Sequence, residues 1–415
     1  MRYERVAMLA VVGTLAAWAV TCKSNDGPPP PPPAPTVDVG ADLRATTGQA
    51  VSLTARVASP GANPSSYRWT LAWGDASVDS GDVGSGGLIT VSHTYAAAGH
   101  YALSLTGRAS TGTTANDTAT TFVDAPGTPQ VLIGAGDIGE CDKVHSAKTA
   151  AVIDTTAGTV FTLGDNAYPN GQLSDFARTD GPGCWATTWG GFKKRIYPTP
   201  GNHEYALKDT TAAGYFGYFG IAAGRGPIGN YSYDLGGWHI IVLNSSFLES
   251  QALGRFLSID TQLAWLSADL AAHPATCTLA MWHHPHFSSG TTHGNKLLET
   301  QPTKPFWDTL YAHGAELILS GHEHNYERFA PQTPDGAADP VNGIREFVVG
   351  TGGGGYDPLG TPIANSEAST TEHGLLKLTL SPGAYQWQFI PTSGPLGDTI
   401  PSTFTFTDAG SGSCH

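Results

Sequence analysis

Charged residues make up only 13% of this 415-residue chain, and they lean one way: 21 Lys and Arg stand against 35 Asp and Glu, a formal net charge of −14. That balance repels phosphate backbones and anionic headgroups at long range, which excludes a general nucleic-acid or anionic-membrane binder. A local cationic site, including a metal site, is compatible with it. A membrane-spanning apolar run is missing too: Val6 to Val20 is too short for a comfortable span. Gly350 to Gly355 reads GTGGGG but lacks the Lys-Ser/Thr of a phosphate-cradling loop, so a strand-to-loop turn is expected there. Ser245-Ser246 and Ser288-Ser289 have no G-x-S-x-G setting, which argues against a serine nucleophile.

What is present begins with an address. Arg2 and Arg5 precede the apolar stretch, the pattern of a signal peptide over 1–21, so the chain is expected to be exported. Two cleavage readings stay open. Ala17-Trp18-Ala19 suits an ordinary signal peptidase, whereas Ala19-Val20-Thr21-Cys22 resembles a bacterial lipoprotein box, imperfect at its first and third positions, which would put a lipid anchor on Cys22. The destination is therefore secreted, periplasmic or anchored to the cell envelope. Residues 22–35 form a linker whose six consecutive prolines, Pro28 to Pro33, make a stiff polyproline II spacer.

Cysteine is scarce. After Cys22 there remain Cys141, Cys184, Cys277 and Cys414, which allow three pairings in an oxidising compartment. Cys141 with Cys184 is expected, since both lie in loops near the motifs below; Cys277 with Cys414 is only what is then left over.

Residues 36–125 alternate apolar and polar positions (Val51 to Val57, Tyr101 to Gly107) between Gly, Pro, Ser and Asp turns, the pattern of a small antiparallel sandwich. Trp73-Gly74-Asp75 and the run His93-Thr94-Tyr95 to Gly99-His100-Tyr101 are similar to the motifs of PKD domains. The resemblance implies an all-β, immunoglobulin-like sandwich serving as spacer or adhesion module. Contact with a cell surface or polysaccharide is the alternative role.

From 128 to 408 the texture changes to apolar strands that each end in a polar cluster, at Asp137, Asp165, Asn202-His203, His283 and His322, with helical patterns at Asp260–Leu270 and Pro305–Tyr311. Buried strands alternating with helices imply an α/β layered domain, in which ligands collect at the carboxyl ends of strands. Taken singly, a strand-end Asp caps a turn and a core His is merely hydrogen-bonded. Together, Asp137, Asp165, Tyr168, Asn202, His283, His322 and His324 offer the shared carboxylate and mixed N and O donors that a pair of metal ions needs.

GDIG (136–139), GDNAY (164–168), GNHE (201–204), HHP (283–285) and GHEH (321–324) resemble the five ordered motifs of calcineurin-like metallophosphoesterases. Gly139 stands where the wider superfamily has a histidine, and Tyr168 completes the G-D-x-x-Y pattern of purple acid phosphatases. The resemblance implies a four-layer α/β/β/α sandwich and a dinuclear metal centre. Asp137, Asp165, Tyr168 and His324 would surround the first ion; Asp165, Asn202, His283 and His322 would surround the second. Trading an imidazole for a phenolate favours Fe(III) at the first position, and the neutral Asn202 suits a divalent Zn, Mn or Fe at the second.

His203 and His293 are the implied catalytic histidines, against phosphoryl and leaving oxygens. His284, which could replace His283 as ligand, and Tyr326 are expected behind the ligands or against substrate. The implied activity is an acid-phosphatase-like phosphomonoesterase, an exported phosphoric ester hydrolase acting on a small phosphorylated substrate through metal-activated hydroxide. A phosphodiesterase or nucleotidase on the same core, and a surface-binding protein with an inactive phosphoesterase domain, are the alternatives.

Overall fold

In the computed structural model the described residues are 34–58, 67–84, 86–206, 211–224, 226, 228–246, 259–292, 303–392 and 406–415. The leader, Cys22, the proline run Pro28–Pro33 and His293 lie outside the described residues. None of the described helices is long and apolar enough to cross a membrane.

The N-terminal unit is a β-sandwich. One sheet orders Thr36–Asp38, Ala50–Ala58 and Leu88–Thr94; the other orders Leu43–Thr46, Thr114–Asp124, Gly99–Ala109, Tyr67–Ala72 and Val78–Asp82. Alternation along Ala50–Ala58 buries Leu53, Ala55 and Val57 against Tyr67, Leu103 and Leu105. The quoted motif residues form one knot: Asp75 Oδ2 lies 2.7 Å from His93 Nε2, the His93 ring stacks on Trp73 at 4.8 Å, and the Tyr95 hydroxyl donates to the Trp73 carbonyl at 3.0 Å. Gly74 is required there, at φ +87° with the Ala102 backbone 2.7 Å from where a Cβ would sit.

The following unit stacks two mixed sheets. The first orders Ile196–Tyr197, Thr159–Thr162, Gln130–Ala135, Gly374–Ser381, Ala384–Pro391 and Asp408–Ser413; the second orders Tyr231–Leu235, Trp238–Val242, Cys277–Met281, Leu317–Ser320, Arg345–Val349, Tyr326–Phe329 and Ser366–Thr370. The strands preceding the polar clusters are parallel within each sheet, so their carboxyl ends share one edge. One contiguous core joins the two sheets, from Leu132, Ile133 and Phe161 to Ile240, Leu279 and Ile318. Helix His145–Thr155 covers the first sheet, Thr149 donating to the Gly352 carbonyl at 2.6 Å and Trp189 donating to Thr149 at 3.0 Å. Helices Ile259–Ala272 and Lys304–Ala312 cover the second: Gln262 is hydrogen-bonded to Asn244 through both amide atoms, and Phe306 packs on Trp282. This is the four-layer α/β/β/α arrangement.

The two units are hydrogen-bonded to each other. Lys194 Nζ reaches Asp117 at 3.0 Å and the Gly40 carbonyl at 3.1 Å, the Ile221 N–H donates to Asp38 at 2.7 Å, and the Tyr197 hydroxyl donates to the Asp42 carbonyl at 2.9 Å.

Disulfides join Cys141 to Cys184 and Cys277 to Cys414. The second ties the two sheets together, because Cys277 opens a strand of one sheet and Cys414 follows the last strand of the other. That last strand, Asp408–Ser413, carries the domain beyond the expected limit at 408. Its residues, Asp-Ala-Gly-Ser-Gly-Ser, have no β-branched or aromatic member to mark a strand. Instead its glycines leave room for the aromatic rings of Trp387 and Tyr385, each under 3 Å from where a Cβ would sit at Gly410 and Gly412.

Candidate metal centre

Four of the five polar clusters follow a strand end through a glycine (Gly136, Gly164, Gly201 and Gly321), while His283 follows its strand through Trp282. Gly164 lies at φ +89°, and a Cβ there would sit 2.5 Å from His283 Nδ1; at Gly201 it would sit 2.2 Å from Asp165 Oδ1. Six non-glycine residues among those described have positive φ, and three of them are Asp137, Asp165 and His322. Such strain at residues with Cβ atoms is unfavourable by itself and persists only where the surroundings impose it. Here it turns all three side chains into one space.

The contacts sort into two groups. Around Asp137, the Tyr168 hydroxyl donates to Oδ1 at 3.2 Å, His324 Nε2 lies 3.3 Å from Oδ1, and Tyr168 Oη and His324 Nε2 are 3.1 Å apart. Around Asn202, the amide Oδ1 lies 2.9 Å from His283 Nε2 and 3.0 Å from His322 Nδ1, with the two imidazole nitrogens 3.1 Å apart. Asp165 belongs to both: Oδ2 is 3.4 Å from the Tyr168 hydroxyl and 3.4 Å from His283 Nε2.

Supporting bonds orient the donors. The Leu163 carbonyl holds His283 Nδ1 at 2.6 Å, which leaves Nε2 facing Asp165 and Asn202. The N–H of His322 donates to Asp137 Oδ2 at 2.8 Å, and that of His203 donates to Asp165 Oδ1 at 2.9 Å.

Donor chemistry tests whether this space suits cations. Asp137 and Asp165 are almost wholly buried, and among the described residues their charged neighbours are imidazoles rather than Lys or Arg. The groups around them are drawn to hold protons. Burial opposes charge on His283, yet Asp165 lifts it to about 10; burial likewise opposes charge on His324, yet Asp137 lifts it to about 9. Burial and both carboxylates push the Tyr168 phenol well above its ordinary range. A site this short of positive charge fits metal cations, which would displace those protons and leave two carboxylates, a phenolate, an amide oxygen and three imidazoles as donors.

The other expected residues fall in different places. His203 packs its ring edge-on to Tyr168, with Nδ1 2.6 Å from the Pro169 carbonyl, Nε2 3.8 Å from Asp165 Oδ2 and the side chain partly exposed. His284 is buried behind the second group, its Nδ1 2.8 Å from the Ser245 hydroxyl and its ring 4.4 Å from that of His322. Tyr326 is not brought to the constellation. Its strand directs the ring against Phe389 and Phe406, and its hydroxyl donates to Asp408 at 2.6 Å.

Glu204 lies in the quoted GNHE run but carried no expected role. It is buried, Oε2 accepting the N–H groups of Gly201 at 2.6 Å and Asp165 at 3.0 Å, and Oε1 accepting that of Asn166 at 2.8 Å. One carboxylate thus clamps two ligand-bearing loops. Burial and the Asp165 charge push it up to about 7. Glu204→Gln places an amide NH2 against a backbone N–H, and is expected to lower metal affinity and turnover about 10–100-fold. Metal titration and steady-state rates measure this; values within about twofold of the parent would remove the clamp from the account.

Residues 131–326 match the family described as Calcineurin-like phosphoesterase, and residues 32–124 match the PKD domain. Purple acid phosphatase 15 of Arabidopsis thaliana is 24% identical over 282 residues, covering 60% of this chain and 50% of that protein. Acid phosphatase type 7 of Homo sapiens is 30% identical over 212 residues, covering 45% of this chain and 47% of that protein. The chain thus spans about half the length of these curated relatives. Among solved structures, PhoD aligns over 91% of this chain and 88% of its own at 13% identity, with a TM-score of 0.47.

Proposed function

We propose, from the match of residues 131–326 to the calcineurin-like phosphoesterases and of residues 32–124 to the PKD domain, that this chain is a dinuclear-metal phosphatase acting on phosphate monoesters outside the cytoplasm. The observation that carries the reading is the division of seven donors into two groups that share Asp165. Asp137, Asp165, Tyr168 and His324 would hold one ion, best suited to Fe(III); Asp165, Asn202, His283 and His322 would hold the other, a divalent Zn, Mn or Fe. When bound, the ions would supply Lewis acidity towards phosphoryl oxygens and lower the pKa of water so that its deprotonated form is available as the nucleophile.

The chain's own residues do the remainder. Asp165 orients both donor groups, and Glu204 fixes the loops that carry Asp165 and Asn202. His203, held through Nδ1 by the Pro169 carbonyl, would in its doubly protonated form offer Nε2–H, 3.8 Å from Asp165 Oδ2, to a phosphoryl oxygen and give that proton to the leaving alkoxide. The partner is a small phosphorylated molecule, and the PKD domain is a surface or spacer module.

Parallel kinetics on p-nitrophenyl phosphate and its bis-ester test the substrate class. The expected result is a kcat/KM at least about tenfold higher for the monoester, or 1.4 kcal/mol of transition-state preference. A preference for the bis-ester overturns the monoesterase reading, and no turnover with negligible bound iron, zinc or manganese overturns the enzyme. Iron-loaded protein is expected to show a visible tyrosinate-to-Fe(III) band that Tyr168→Phe abolishes; a band unchanged by the substitution removes Tyr168 from the first ion.

A further inference from the structure

A cavity lies apart from the Asp165 constellation. It lies in the seam between the two units, with a volume of about 600 Å³, walled by Leu43 to Thr46 and Asp124 of the sandwich and by Tyr197, Asp234, His239 and His273 of the following unit. We propose that His239, Asp269 and His273, at the edge of this cavity, form a separate binding site for a single zinc-like divalent cation.

A strand, a helix and the residue that follows that helix bring the donors together. His239 sits on strand Trp238–Val242, its side chain 1% exposed; Asp269 sits in the last turn of helix Ile259–Ala272; His273 follows one turn later. A ligand atom from each lies within 4.8 Å of the others. His239 Nε2 is 2.9 Å from Asp269 Oδ2, and His273 Nδ1 is 3.4 Å from Asp269 Oδ1.

The supporting groups match what a metal site requires. Asp234, directly opposite His239 on the paired strand, lies 2.9 Å from its Nδ1, the carboxylate-to-imidazole bond that directs Nε2 towards an ion. The Ser232 hydroxyl donates to Asp269 Oδ1 at 2.8 Å and fixes that carboxylate. The seam cavity supplies an entry path and room for water at the remaining coordination positions. Two imidazoles and one carboxylate suit zinc, whereas calcium takes six or more oxygens.

A plain ion pair between His239 and the two aspartates accounts for only part of this arrangement. It does not involve His273, whose Nδ1 lies 3.0 Å from the Asp269 carbonyl and whose ring lies parallel to that of His239 at 4.8 Å and 14°. Parallel rings do not point their nitrogens at one ion, so capture requires His273 to turn. Its side chain is 48% exposed and can do so. In the metal-free protein a proton occupies His239 Nε2; burial opposes it, but Asp234 and Asp269 lift the group to about 9. Zinc displaces that proton to solvent, so uptake releases one proton and weakens on acidification.

The test is a difference in stoichiometry. Full-length protein is stripped with a chelator, reloaded with zinc, freed of excess ion by gel filtration, and its zinc per chain measured for the parent and for His273→Ala. The parent is expected to hold one more zinc than the variant, whether or not the Asp165 centre fills, so failure here is distinguishable from failure of the phosphatase reading. Asp234→Asn is expected to keep the zinc with about tenfold weaker affinity. Equal zinc in parent and His273→Ala overturns the proposal. Because His273 is half-exposed the variant is expected to fold, which circular dichroism checks, and His239→Gln gives an independent second measurement of the same loss.

Discussion

Asp165→Asn is expected to lower turnover by about 10³-fold or more and to deplete both bound ions, with little change in thermal stability. Asparagine keeps the shape of the side chain, and its amide oxygen can still accept the His203 N–H that Asp165 Oδ1 accepts. Backbone support from Glu204 to the residue 165 N–H is also retained. What disappears is the negative charge common to the two donor groups. The amide NH2 would face His283 Nε2 and the Tyr168 hydroxyl, each 3.4 Å from Oδ2. Losing several kcal/mol of charge stabilisation in the transition state corresponds to three or so decades of rate. Metal content by mass spectrometry and kcat on p-nitrophenyl phosphate give the answer, and full occupancy with undiminished turnover would dismantle the dinuclear reading.

The second large effect falls on stability. Arg328→Ala is expected to destabilise the fold by about 3–5 kcal/mol, because it removes one partner of a buried ion pair and strands the other. The guanidinium meets Asp408 through two bonds, Nε to Oδ2 at 2.7 Å and Nη2 to Oδ1 at 3.0 Å; it also pairs with Glu367 and lies 4.9 Å over the Trp387 ring. Asp408 is 8% exposed and, among the described residues, keeps the Tyr326 hydroxyl as a donor at 2.6 Å once Arg328 is gone. Since Asp408 begins the last strand, the damage reaches the edge of the first sheet. A fall of roughly 10 °C in melting temperature is expected for a unit of this size. Arg328→Lys retains charge but not the two-bond geometry and falls in between. A shift of only about 1 °C for the alanine variant would contradict the account.

How far the sequence reaches is clearest residue by residue. The helices expected at Asp260–Leu270 and Pro305–Tyr311 occur as Ile259–Ala272 and Lys304–Ala312, because a 3.6-residue apolar period is a local property of the chain. Glu204 was not legible: a glutamate after a histidine has no local pattern that reveals three backbone donors on two loops. The contacts of Tyr326 with Phe389, Phe406 and Asp408 were hidden for the same reason, since the direction of its ring depends on which strands flank it. The terminal strand was invisible because its glycines answer to rings on the neighbouring strand rather than to any strand propensity of their own.

By itself the sequence determined the β-sandwich and α/β character of the two units, and the placement of polar clusters at strand ends. Periodicity and glycine position act over a few residues and need no distant partner. Only the tertiary structure decided that Asp165 touches both donor groups, that Glu204 clamps their loops, that Tyr326 turns to Asp408, and that a seam cavity brings His239 and His273 to its wall. Each of these rests on which strands lie side by side and how two units meet, and such long-range adjacency leaves no mark within any short stretch of chain.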